Sequence, residues 1–157
     1  MFLVRPAHDV PVRRVPGGVG TMTSDSIQQD VFTVLHGQAS PIVSRWAYRA
    51  SDPFAISFSV RRSTDRWIEW LVARDLVIEG LTTPTGIGDI RMAPRRVDGY
   101  DVVEIEIRSD GGSAVLEVDR DLLAQFVDAT LEIVDLGEEN DHLDIDTAIA
   151  RLTGSAA

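Results

Sequence analysis

Apolar and polar residues alternate with a period of two along most of the chain, the mark of strands that turn one face to a core. Val31, Thr33 and Leu35 against Phe32 and Val34 predict a first strand, and Ile42 to Arg49 a second. Phe54, Ile56, Phe58 and Val60, facing away from Ala55, Ser57 and Ser59, predict a third with one apolar face. Asp52-Pro53 before it is a turn signal. Arg66 to Val72 (RWIEWLV) is apolar on both sides apart from Glu69, which predicts a fourth strand that is central or covered. Asp75 is placed to cap a short helix over Leu76 to Glu79, with Gly80 stopping it in the left-handed conformation. Thr83 to Gly88 is a turn-rich connection. Strands resume at Ile90 to Arg95, at Val102 to Arg108 with Val103, Ile105 and Ile107 inward, and at Ala114 to Val118, the last two joined by Asp110-Gly111-Gly112.

The period changes at Asp119, the expected N-cap of a helix carrying Leu122, Leu123, Phe126, Val127, Thr130, Leu131 and Val134 on one stripe. Burying its large apolar side chains contributes on the order of 10 kcal/mol before entropy is subtracted, so the helix must dock on the sheet. Asp144 is placed to cap a final short helix with Ile145, Ile149 and Leu152 along one side. Four strands, a helix, three or more strands and then helices make an α+β fold, an antiparallel sheet with packed helices.

Composition narrows the class. The 157 residues, 44% hydrophobic, suffice for one core and not for two, and a single domain over 28–157 is expected. Met1 to Ile27 carries Pro6, Pro11, Pro16, Gly17-Gly18 and Gly20 without periodicity; it reads as a disordered leader, with Met22 as an alternative start. Arginines and an aspartate interrupt Met1 to Val15 where a signal peptide needs an apolar stretch, and no run has the length of a membrane span, so a cytoplasmic chain is expected. Cysteine is absent, which excludes disulfides and thiolate metal sites. Residues 1–100 hold 12 arginines against 10 carboxylates and residues 101–157 hold 3 against 15, about +2 against about −12 within the net −10. That balance opposes binding to nucleic acid or to an anionic membrane, both of which select cations.

Candidate chemistry is sparse. His8, His36 and His142 share no motif, and a lone histidine is far more often structural or solvated than a ligand. Gly86-Ile87-Gly88 opens like a dinucleotide fingerprint but lacks the third glycine and leads into a strand, so it reads as turn geometry. Asp135 to Asp146 (DLGEENDHLDID) has oxygens enough for calcium, yet neither the ligand spacing nor the closing glutamate of a calcium loop. No G-x-S-x-G, S-x-x-K or H-E-x-x-H occurs, so no catalytic, cofactor-binding or metal residue and no cofactor is expected. Trp46, Trp67 and Trp70 with Arg61, Arg62 and Arg66 have the composition of a single-strand platform, and a single-stranded nucleic-acid-binding module is the alternative function. Trp67 and Trp70 fall on opposite faces of one strand, however, so at most one can join such a platform.

Between Ser51 and Pro94 stand Asp52-Pro53-Phe54, Glu69-Trp70, Ala73-Arg74-Asp75-Leu76, Glu79-Gly80-Leu81, Pro84-Thr85-Gly86 and Gly88-Asp89. In that order and spacing they resemble the SsgA/SsgB-like family of actinobacterial sporulation and cell-division regulators. Val102-Val103-Glu104-Ile105 and Leu143-Asp144-Ile145-Asp146 continue the resemblance, which covers roughly Asp30 to Leu152. It implies a Whirly-like fold built from strand-strand-strand-strand-helix repeats and assembled as a bell-shaped homotrimer. It further implies a non-enzymatic adaptor at the cell-division septum, with FtsZ or family paralogues as partners.

Read physically, the signature residues are architectural. Asp52, Pro53 and Pro84 set turns, Arg74 and Asp75 join a strand to a helix, Gly80, Gly86 and Gly88 supply permissive backbone, and Trp70 and Asp89 complete the signature. Ala93, where the family has tryptophan, and Leu143, where it has phenylalanine, mark a divergent paralogue. The apolar fourth strand and the helical stripe offer more surface than one small sheet covers, which also favours a trimer. Partner recognition, or else a merely solubilising loop, is expected at Glu132, Asp135, Glu138, Glu139 and Asp141, which with Asp144 and Asp146 crowd carboxylates where the fold gives no reason for them. A basic partner surface would relieve their repulsion.

Overall fold

Four strands and a helix, twice in succession, make up most of the chain in the computed structural model, which describes residues 4–5 and 21–142. The first succession is β3 (Ser26–Leu35), β4 (Ile42–Arg49), β5 (Ala55–Ser63), β6 (Arg66–Ala73) and α1 (Arg74–Gly80). The second is β7 (Thr85–Ile87), β8 (Ile90–Val97), β9 (Tyr100–Ser109), β10 (Gly112–Asp119) and α2 (Arg120–Ile133). Two short strands precede them, β1 (Val4–Arg5) and β2 (Thr21–Met22), and a 3-10 turn at Glu139–His142 follows. All pairings are antiparallel, in the order β1-β6-β5-β4-β3-β10-β9-β8-β7, with β2 beside β3. The α+β expectation therefore holds.

The two successions meet along a short seam. β3 and β10 share only three register pairs, Thr33 to Leu35 against Val118 to Leu116, whereas β9 and β10 pair from Gly112↔Ser109 to Asp119↔Val102. The helices reinforce the seam from one side. α1 leaves β6 and packs on β7 and β8 of the second succession, while α2 lies across β3, β4, β9 and β10. Alternation along each strand aims Trp46, Ile56, Phe58, Val103, Ile105 and Leu116 at this inner face, where Leu123, Phe126 and Val127 of α2 meet them. Asp119 caps α2 as expected, accepting a 2.9 Å hydrogen bond from the Leu122 N–H.

Several local expectations are corrected. Asp75 does not cap α1; the N-cap position is Ala73 and lacks a side-chain cap, while Asp75 sits exposed in the first turn, where its charge suits the helix dipole. Gly80 is not left-handed. It is the last residue of α1, and a Cβ there would stand 2.8 Å from the Met92 Cβ, so close approach to β8 is what requires glycine. Gly86 lies within β7 and not in a turn; a Cβ would meet the Arg91 Cγ at 2.8 Å. Gly88 does turn, with φ 60°, in the two-residue hairpin that brings Ile87 opposite Ile90.

β6 is not central: β5 pairs with one edge and only the short β1 with the other, and its residues are mostly half-buried. Phe54 is exposed, not in the core, and Pro53 is buried instead. The helical stripe is spent inside the fold, with Leu122 left exposed, so it offers no spare surface for a trimer. The expected domain start at residue 28 falls inside β3, and Thr21–Met22 already pairs with Gln28 and Ile27. Residues 1–3 and 6–20 of the expected leader and the final helix at Asp144 lie outside the described residues. Among those described, no helix is long and apolar enough to cross a membrane.

Candidate partner-binding site

The signature residues converge on a buried cation. Arg74, the first residue of α1, is 1% exposed. Its Nη1 donates to the carbonyls of Val134 at 2.6 Å and Thr130 at 3.3 Å, and its Nη2 donates to Glu139 Oε1 at 2.8 Å. The Thr130 carbonyl already accepts the Val134 N–H at 3.0 Å, whereas the Val134 carbonyl lies past the last turn; both stand at the negative end of the helix dipole, so a guanidinium there satisfies an acceptor and charge together. The Tyr48 ring lies 5.0 Å from the guanidinium carbon, and the Tyr48 hydroxyl donates to the Pro53 carbonyl at 2.9 Å. Burial pushes the Tyr48 phenol upward, against the opposing pull of Arg74.

This cation organises the acidic segment after α2. Glu139, expected among the partner-facing carboxylates, turns inward: it is 8% exposed, and its Oε2 accepts from the Gly137 N–H at 2.8 Å. The hydrogen bond from Arg74, aided by backbone donors, holds its carboxyl below the usual carboxylate range. Glu139 therefore leaves the recognition set because both its oxygens are engaged. Glu132, Asp135, Glu138 and Asp141 remain exposed along the segment that Arg74 and Glu139 hold in place. Asp144 and Asp146 lie outside the described residues.

Other signature positions support packing. Trp70 stacks on Phe58 with ring centres 5.6 Å apart, and Phe58 meets Trp46 at 4.5 Å. Asp52 and Pro84 are exposed beside their turns, and the Asp89 carbonyl accepts from the Arg108 N–H at 2.8 Å. The tryptophan–arginine platform dissolves. Trp46 is 1% exposed, Trp70 belongs to the inner face, and Trp67 alone of the three reaches the opposite face, away from α1 and α2. There Arg45, not Arg61, Arg62 or Arg66, lies 4.3 Å over its ring, and that arginine is already forked on Asp30 at 2.8 and 3.0 Å. A base seeking the ring would have to displace a neutralised cation. The groove beside it, about 500 Å³, has a floor of Ala47, Ser57 and Ser59 and holds Glu69 as well.

An antiparallel sheet braced by two helices, with its signature spent on hydrogen bonds and close packing and with Glu132, Asp135, Glu138 and Asp141 outside, defines a scaffold that presents a surface. The chain belongs to the family described as Streptomyces sporulation and cell division protein, SsgA, whose sequence profile matches residues 42–139. It is 39% identical to the sporulation-specific cell division protein SsgB of Saccharopolyspora erythraea, over 78% of this chain and 87% of that one. Identity to SsgB of Streptomyces coelicolor is 34% over 83% and 96% of the two chains. The crystal structure of an SsgA-like sporulation-specific cell division protein from Thermobifida fusca matches with a TM-score of 0.73 at 32% identity, covering 84% of this chain and 99% of that one.

Proposed function

We propose that this chain is a non-enzymatic adaptor in sporulation-specific cell division, acting in the cytoplasm at the septum by tethering FtsZ or a paralogue of its own family. The observation that carries this reading is the extent of the likeness to SsgB. It spans most of both chains at 34–39% identity and does not rest on one motif. The recognition surface is the exposed set Glu132, Asp135, Glu138 and Asp141, held by the buried Arg74–Glu139 pair and suited to a basic partner surface. Four strands and a helix in two successions support a Whirly-like description, and a homotrimer would present several copies of the acidic segment, raising apparent affinity without a large single interface.

Pull-down with purified FtsZ and with family paralogues, together with fluorescence of a tagged chain in sporulating hyphae, tests the proposal. Capture of one of them and fluorescence at septa is expected. Capture of none, with diffuse fluorescence, overturns the adaptor reading. Light scattering that returned a mass near 17.2 kDa would remove the multivalent mechanism.

A further inference from the structure

We propose that His36, Glu104 and Glu117 form a binding site for one divalent transition-metal cation of the zinc class, on the sheet face opposite α1 and α2 at the seam between the two successions. The site is assembled by strand register. Glu117 on β10 stands opposite Glu104 on β9 and opposite Val34 on β3. His36 follows β3 directly, and its backbone N–H donates to the Val115 carbonyl of β10 at 2.9 Å, which fixes the residue against the same strand. One imidazole nitrogen and one oxygen from each carboxylate all lie within 4.8 Å of one another. Ligands around a tetrahedral zinc, about 2.1 Å from the metal, are on the order of 3.4 Å apart, so side-chain rotation alone closes the set.

Electrostatics favour a cation here. Like charges directly opposite on paired strands repel. Solvation relieves this pair only in part, because the Glu104 and Glu117 side chains are 25% and 15% exposed. Their neighbours engage them unevenly. His36 Nε2 lies 2.7 Å from Glu117 Oε1, whereas Arg95, 58% exposed, reaches Glu104 Oε2 at only 3.5 Å. A divalent ion would balance both carboxylates and take the place of the proton between His36 and Glu117. The imidazole selects zinc, cobalt, nickel or copper over magnesium and calcium, which prefer all-oxygen sites. Three protein ligands leave a fourth position on the exposed His36 side, open to water or to a donor from a partner. Bound metal would clamp His36, from the first succession, to two strands of the second across a seam of three register pairs.

The test uses the full chain with Zn²⁺ and Co²⁺. Equilibrium dialysis should find one Zn²⁺ per chain, Co²⁺ should give visible absorption of a low-coordinate site, and Zn²⁺ should raise the melting temperature reversibly with chelator. His36→Gln and Glu104→Gln should each weaken Zn²⁺ binding on the order of tenfold or more, while Glu106→Gln and His142→Gln leave it unchanged. His36 is exposed and Glu104 lies at the surface, so both variants should fold, as circular dichroism would verify. Absence of stoichiometric binding at about 100 µM free Zn²⁺, or binding that survives His36→Gln or Glu104→Gln at full strength, overturns the proposal.

Discussion

The two successions use the same device at different depths. Each helix begins with an arginine directly after a strand, and each guanidinium reaches the C-terminal end of the other helix. Arg74 of α1 binds the carbonyls of Thr130 and Val134 at the end of α2, and Arg120 of α2 donates through Nε to the Leu81 carbonyl at the end of α1, at 2.7 Å. The difference lies in burial. Arg74 is enclosed and gathers two carbonyls, a carboxylate and a tyrosine ring, while Arg120 is half-buried and has one carbonyl. A guanidinium removed from water must recover its lost solvation from fixed acceptors, whereas one at the surface leaves most of that task to water. The deeper clasp therefore needed Glu139, which is how one residue of an acidic surface segment came to point inward.

That asymmetry can be broken in order of expected effect. Arg74→Met leaves Glu139 Oε1 and the Val134 carbonyl without the guanidinium, while the Thr130 carbonyl keeps the Val134 N–H at 3.0 Å, and denaturant unfolding should show a loss of about 3–5 kcal/mol. Arg120→Met removes one charge-assisted hydrogen bond and should cost about 1–2 kcal/mol. Equal losses would mean the two clasps are equivalent and that burial does not distinguish them. At the far end of each helix the contrast continues: α2 closes on Ile133, but α1 closes on Gly80, where a methyl group meets Met92. Gly80→Ala should cost about 1–3 kcal/mol by the same measurement, and an unchanged midpoint would show that β8 yields without strain.

Acid sharpens the comparison further. Because Arg74 lowers the Glu139 carboxyl below its ordinary 4.5, the stabilisation from that carboxylate is fully present above about pH 4.5 and is lost as pH falls through the lower folded value. Unfolding measured at neutral pH and near pH 3 should show the parent losing more stability than Glu139→Gln. Parallel losses would place the acid sensitivity on other groups. The smallest effect on stability belongs to the exposed carboxylates. Combining Glu132→Gln, Glu138→Gln and Asp141→Asn should change stability by no more than about 0.5 kcal/mol each while weakening capture of the division partner. Undiminished capture at low and moderate salt would put recognition on another surface.

Much of the sheet was legible before the structure. Val103, Ile105 and Ile107 alternate with charged residues and all point inward, and the stripe from Leu123 to Val134 lies where its period requires. One signal was present but unused. Asp98-Gly99 is a two-residue hairpin sequence, and both residues adopt positive φ, 51° and 83°, between Val97 and Tyr100; reading it would have extended β8 and β9 to their full lengths. The sequence suggests a left-handed helix stop at Gly80 and a turn at Gly86 because it shows only that glycine permits unusual backbone. It does not show which strand will pass too close for a side chain.

Periodicity and capping chemistry act over a few residues, so the chain by itself determined where β3 to β6, β8 to β10 and both helices lie, which face of most of them is apolar, and that Asp119 begins α2; β1, β2 and β7, short and without alternation, were not among them. What lay beyond was decided by register and by the packing of the helices. Arg74 meets acceptors 56, 60 and 65 positions away, and His36 meets Glu117 across 81. No spacing rule spans such distances. Glu138 and Glu139 are adjacent, identical in type and equally acidic as text, yet one faces solvent and the other a buried guanidinium. Only packing separates them, because the cost of burying a charge depends on what the rest of the fold brings within hydrogen-bonding distance.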